Sequence, residues 1–126
     1  KSKDSALHQM FIAHSSAVYV RPHKHVGKTE SMLVLHGIAD YIEFSSAGEV
    51  VKITKMGGMR QHGVFYKTVE SDLYHSMRII SDWLVFLEVT TGPFLPDHTV
   101  YADWSPNGSN ANESINYIQN LSAKEI

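Results

Sequence analysis

A chain of 126 residues, 43% hydrophobic and 19% charged, is large enough for one domain with a proper core. It has no apolar run long enough to span a bilayer. The 11 Lys and Arg against 13 Asp and Glu give a formal charge of −2 without a long basic run, which argues against a nucleic-acid partner. The absence of cysteine excludes disulfides, thiolate metal sites and cysteine nucleophiles, leaving His and carboxylate as the strong metal ligands. The sequence opens Lys1-Ser2-Lys3-Asp4 with neither Met nor a signal-like apolar stretch, so a trimmed N-terminus and a cytoplasmic location are expected.

Residues 7–14 and 17–21 form short segments of β-branched and aromatic residues, with Ser15-Ser16 as the break between them. His23-Lys24-His25 reads as strand, and Val26-Gly27-Lys28-Thr29 as the turn that follows. Residues 31–36 are apolar at both parities, which predicts a strand covered on both faces, closed by Gly37. Residues 38–44 and 50–54 then make a hairpin through the turn at 45–49. Gly57-Gly58 and Gly63 mark a second loop, and strands are expected at 64–69, 74–81 and 83–90. The last of these is strongly apolar and central, and Thr91-Gly92-Pro93 ends it.

Residues 96–112, rich in Pro, Gly, Asn and Asp, are expected to wrap the surface irregularly. Asn112 is expected to cap a short helix whose Glu113, Ile115, Ile118 and Leu121 share one face. That face must pack on this barrel or on a partner. Short strands without a helical stripe before residue 110 indicate an all-β antiparallel sandwich or barrel, with a jelly roll as the architecture. The whole chain, 1–126, then forms one domain, with its core in 7–95 and a wrap in 96–126.

The chemical content is concentrated in residues 21–37. In a strand, alternate side chains share a face, so His23 and His25 project together, and Tyr19 and Arg21 share their parity. A turn would bring Glu30 beside them. With 8 His in the chain, a His-x-His pair arises by chance roughly half the time, but adding Glu30 and Gly37 at fixed offsets lowers the expectation to about 0.01 or less. The spacing favours a metal site over surface histidines.

His23-x-His25, four residues, Glu30, six residues, Gly37 resembles the first cupin motif, filled completely. The second cupin motif, Pro-x-Gly-x-x-His, corresponds to Glu70-Ser71-Asp72-Leu73-Tyr74-His75, which keeps the His and places Glu70 for Pro and Asp72 for Gly. Asp tolerates the left-handed conformation better than most residues. The Asn that often follows the second-motif His is absent, with Ile79 in its place. Further segments recur in order: Arg21 to His25, Leu33 to Gly37, Tyr74-His75-Ser76, Phe86 to Val89, Gly92-Pro93-Phe94 and Trp104-Ser105-Pro106. Over residues 7–108 the chain is similar to the WbuC-type cupin metalloproteins, small single-domain proteins often encoded with O-antigen and other surface-polysaccharide genes.

The resemblance implies a cupin double-stranded β-helix binding one divalent metal ion, Fe, Mn, Ni or Zn, through His23, His25, Glu30 and His75. Glu30 competes with an ion pair to Lys24 or Lys28. Arg21 is expected either to hold an anionic ligand in a bidentate fork or to pair with Asp40 or Glu88. Tyr19 and Tyr74 are further ligand-binding candidates, as pocket or as core and rim residues. His36 is read as structural, His62 and His98 as candidates near the cavity mouth, and His8 and His14 as ordinary strand-end residues. No catalytic residue is assigned.

Three functions follow as expectations. The first is a metal-dependent enzyme, an isomerase, epimerase or oxygenase, acting on a small polar molecule such as a sugar or nucleotide-sugar intermediate of surface-polysaccharide (O-antigen) biosynthesis. The second is a protein that captures a sugar or small acid without turnover. The third is a metal-free nucleotide-sugar isomerase or epimerase using His and Tyr acid–base chemistry. A homodimer is expected, because the strands at 31–36 and 83–90 need cover on both faces.

Overall fold

The computed structural model describes residues 2–61 and 63–123. Among these described residues nine strands make two sheets. The first has the order β1-β8-β3-β6, from β1 (Leu7–Ser15), β8 (Trp83–Thr91), β3 (Glu30–His36) and β6 (Tyr66–Val69). The second has the order β5-β4-β7-β2-β9, from β5 (Val50–Gly57), β4 (Ile38–Phe44), β7 (Tyr74–Ile79), β2 (His23–His25) and β9 (Thr99–Tyr101). Every pairing between named strands is antiparallel, and the sheets face each other as the jelly roll expected from the sequence.

The space between the sheets is filled by inward residues that alternate along each strand. Met32, Val34, Ala39, Tyr41, Leu84 and Phe86 are among them, all at or below 4% exposure. Burying each large side chain contributes roughly 1.5–3 kcal/mol. Strands β3 and β8 are apolar at both parities because most of their outer positions, Leu33, Leu35, Val85, Leu87 and Val89, are also apolar.

Two departures from the expected elements have local causes. Residues 18–22 are not strand. The chain passes through Pro22, which has no N–H to give a ladder. The wrap contains a strand that composition hid: β9 pairs with β2 through the registers His23↔Tyr101 and His25↔Thr99, after a single 3-10 turn at Pro96–His98.

Helix α1 (Ala111–Gln119) is capped by Asn110 rather than Asn112: the Asn110 side chain accepts the Glu113 N–H at 3.1 Å. Its apolar face packs on this barrel, with Ile118 against Ile42 and Phe44 on the outer side of the second sheet. Arg78 fastens it there. Its Nη1 donates to the carbonyls of Ile118, Gln119 and Leu121 at the helix C-terminus, while Nε and Nη2 hold Asp40 at 3.1 and 2.8 Å.

Two turns shape the barrel's ends, that of Gly37 at the end away from Glu30 and that of Asp72 at the site end. Gly37 lies at φ +93, where a Cβ would collide with the Trp83 carbonyl, so only glycine fits between β3 and β4. Asp72 is the one non-glycine residue with positive φ (64°) among the described residues, in the turn that replaces the usual glycine of the second motif.

Candidate metal centre

The three histidines meet because their strands are neighbours. His23 on β2 is in register with His75 on β7, and His25 follows on the same face of β2. The turn before β7 clamps the end of β2: Asp72 N donates to the His25 carbonyl at 3.0 Å, and Ser71 Oγ bridges His25 and Gly27. One ligating atom from each of His23, His25 and His75 lies within 4.8 Å of the others, a group able to hold a metal ion. Glu30, the first residue of β3, reaches the cluster from the facing sheet, with Oε2 3.3 Å from His25 Nε2 and 3.9 Å from His75 Nε2. Lys28 is engaged by the Pro93 carbonyl and Lys24 lies over the Tyr74 ring, so neither competes for Glu30.

The backbone fixes the tautomers. His23 Nδ1 is 2.7 Å from the Arg21 carbonyl and His75 Nδ1 is 2.9 Å from the Leu73 carbonyl. A carbonyl oxygen can only accept, so each Nδ1 carries the proton and each Nε2 keeps a lone pair for a metal. Burial lowers the pKa of both rings, that of His75 to about 4, with the neighbouring His23 adding to the shift. Both are neutral at pH 7. His25 Nδ1 faces Thr99 Oγ1 at 3.4 Å.

Glu88, on the inner face of β8, completes the polar floor. Burial and then the Glu30 carboxylate raise its pKa, so it keeps a proton and donates it to Glu30. For Glu30 burial acts upward, but hydrogen bonds from His25 and Glu88 outweigh it and hold the carboxyl ionised. The pair carries one negative charge between two carboxyls. Tyr41 stacks on His75 at 5.5 Å, and its hydroxyl is buried with no protein partner. Burial, then the Glu30, Glu43 and Glu88 carboxylates, raise its pKa, so it stays a neutral donor. Convergent imidazole lone pairs, one ionised carboxylate and an unpartnered buried hydroxyl fit a divalent cation with a further small ligand.

These groups line a cavity of about 120 Å³ between the sheets. It meets an open mouth of about 640 Å³ bordered by Tyr19, Arg21, Phe94, Thr99 and Tyr101, within the size range of small-molecule sites.

The structure brings together His23, His25, Glu30 and His75, and sets Arg21 and Tyr19 at the mouth. Arg21 pairs with no carboxylate: Nη2 donates to the Ala102 carbonyl at 3.1 Å, Nε to Ser105 Oγ at 3.4 Å, and the guanidinium lies over the Tyr101 ring. Tyr19 donates to the Pro106 carbonyl. Tyr74 is not brought to the cavity. Neighbours along a strand point to opposite faces, so with His75 inward Tyr74 packs outward against Trp104. His36 is exposed, His98 does not line the cavity, and His62 lies outside the described residues.

Two residues of the site, His14 and Tyr41, were not expected there, and Glu88 was expected only as a barrel-lining partner for Arg21. Glu88 is a lone acid in a strand otherwise apolar at both parities, sharing the inward parity of Leu84 and Phe86. His14 shares the parity of Ile12 and lines both cavity and mouth, rather than serving as a plain strand end. Tyr41 shares the inward parity of Ala39. Parity was the available signal in all three.

A family model described as a domain of unknown function, DUF6016, matches residues 1–56. That span includes His23, His25 and Glu30. No curated protein matches the chain. Among solved structures, a protein from Shewanella oneidensis aligns at TM-score 0.64 and 12% identity, over 97% of this chain and 78% of the other. Oxalate decarboxylase from Bacillus subtilis aligns at TM-score 0.60 and 22% identity, over 95% of this chain but 32% of the enzyme. The QdtA 3,4-ketoisomerase from Thermoanaerobacterium thermosaccharolyticum, in complex with TDP, aligns at TM-score 0.57 and 14% identity, over 74% of this chain and 64% of that one. The chain thus spans about a third of the decarboxylase and under two thirds of the ketoisomerase. The fold is the cupin fold, and its relatives in fold include a decarboxylase of a small acid and a ketoisomerase solved with TDP.

Proposed function

We propose that this protein is a metal-dependent enzyme that takes a small polar molecule at the barrel mouth, a sugar or nucleotide-sugar intermediate of surface-polysaccharide synthesis. One observation carries the reading: the Nε2 lone pairs of His23 and His75 are aimed at one point by backbone hydrogen bonds, next to His25 and Glu30, at the floor of an open mouth. His23, His25, Glu30 and His75 would hold the ion. When bound, it supplies Lewis acidity toward a carbonyl or hydroxyl oxygen. The chain's own groups supply the rest. Glu88 holds a proton beside Glu30, the Tyr41 hydroxyl is free to donate, and Arg21 and the aromatic rim border the mouth. The sugar class rests on the resemblance to WbuC-type cupins and on the TDP-bound ketoisomerase among the fold relatives. The convergence of three imidazoles and a carboxylate, where acid–base isomerisation needs only one histidine base, favours a metal reading over the metal-free one.

The test is metal analysis of protein purified without added metal, followed by a turnover screen of sugars, nucleotide sugars and keto acids with the loaded protein. One equivalent of a divalent ion and conversion of a sugar substrate are expected. Absence of any stoichiometric metal under metal-replete conditions would remove the reading, and binding without conversion would leave metal-assisted capture.

A further inference from the structure

The two sheets are finished differently on their outer faces. The outer face of the second sheet is charged at Asp40 and Arg78 and carries α1, with Ile118 seated on Ile42 and Phe44. No helix or further sheet among the described residues covers the outer face of the first sheet, which only the loop holding Met59, Arg60 and Gln61 flanks, beside Leu33 and Leu35. There the register aligns Phe11, Leu87, Leu33 and Tyr66 in one row across all four strands. Phe11 is 75% exposed and Tyr66 53%, and Trp83, at 55%, extends the apolar surface along β8. No Asp, Glu, Lys or Arg occupies any outward position of β1, β3, β6 or β8.

We propose that this face is an interface with a second copy of the chain, the two sheets packing face to face. Charge decides the occupant. A face selective for a different protein carries complementary charge to steer and discriminate it, whereas a face without charge meets its own copy with nothing to repel. Homodimer interfaces are also the more apolar class. The size can be outlined: strands of nine (β1), nine (β8), seven (β3) and four (β6) residues, about 4.8 Å apart at about 3.4 Å per residue, cover roughly 470 Å² in projection. A pleated surface studded with Phe, Trp and Tyr exceeds its projection, which brings it toward the ~600 Å² per partner at the lower end of stable interfaces. The central strands of the face, β3 and β8, carry Glu30 and Glu88 on their inner sides. The contact would therefore brace the sheet that brings both carboxyls to the histidines.

Light scattering coupled to size exclusion, at tens of micromolar, reads the outcome for the native chain and two variants. The native chain is expected at twice the chain mass. Phe11→Lys adds a like charge to the face at a side chain too exposed to support the core, and should give one chain mass with unchanged circular dichroism. Val51→Lys, at a position 65% exposed on the other sheet, should remain at twice the chain mass. A native chain at one chain mass overturns the proposal. So does Phe11→Lys dimerising as tightly as the native chain, since the contact would then lie elsewhere.

Discussion

Glu30 and Glu88 sit on neighbouring strands two register positions apart, hydrogen-bonded to each other, and share one proton between them. The site gains a single negative charge against three imidazoles, and the retained proton sits beside the proposed metal position. Its cost appears in the pH dependence. Unfolded, Glu88 releases its proton above the ordinary carboxylate pKa, while folded it holds the proton up to about 9. The folded state therefore binds the extra proton across that window, and stability falls as pH rises through it. Above about pH 7.5, one unit beyond their ordinary pKa, the unfolded histidines are largely neutral and no longer oppose this fall. The thermal midpoint of the metal-free protein should drop between about pH 7.5 and pH 9. Glu88→Gln, which donates to Glu30 without a titrating proton, should flatten that slope. Parallel slopes for both proteins would remove Glu88 as the cause.

Metal binding should stabilise the fold by mass action, about 2.7 kcal/mol at a hundredfold excess over Kd. His25→Ala should lose stoichiometric metal and this thermal shift together, with the barrel still folded, because the apolar core between the sheets does not include His25. A His25→Ala protein with full metal occupancy by elemental analysis would take His25 out of the site.

Two loop glycines, Gly27 beside the site and Gly37 at the far end of β3, should respond unequally. Gly27 is at φ +66 with open space where a Cβ would stand, so Gly27→Ala costs only its left-handed backbone, roughly 1–2 kcal/mol. Gly37→Ala adds a collision with the Trp83 carbonyl and the Ser81 side chain, and should cost more, about 3 kcal/mol or above. Urea denaturation of both variants ranks them, and equal midpoints would contradict the steric account.

What the sequence made legible follows the range of the signals. His23, His25 and Glu30 were readable because a strand, a turn and a strand place them within eight residues. His75 needed the second motif, and Asp72 at φ 64 shows why the turn survives without glycine. Strand β9 was hidden because its partner β2 lies some 75 residues away and three residues of Thr-Val-Tyr carry no periodicity. Tyr74 was misplaced for want of one comparison, since residues adjacent on a strand cannot both face the cavity. Glu88 and His14 were visible by parity, but their roles depend on which sheet faces which, a long-range fact.

Arg21 is the residue at which binding and metal holding should separate. Its alternative partners are taken: Asp40 is held by Arg78 at 2.8 Å and Glu88 by Glu30. Nε and Nη2 are occupied by Ser105 and the Ala102 carbonyl, which fix the guanidinium plane at the mouth and leave Nη1 without a hydrogen-bond partner among the described residues. We propose that this remaining edge holds an anionic group of the ligand. Lys at this position keeps the charge but offers a point donor that cannot satisfy Ala102, Ser105 and a ligand oxygen together. Arg21→Lys should therefore weaken binding of TDP or oxalate to the metal-loaded protein by about tenfold, the loss of one charge-assisted hydrogen bond. Metal content should stay at the native level, because no ligating atom changes. Titration calorimetry with both probes decides it. Native affinity in Arg21→Lys would place the anion elsewhere, and loss of metal as well would make Arg21 a support of His23, whose Nδ1 proton its own carbonyl accepts.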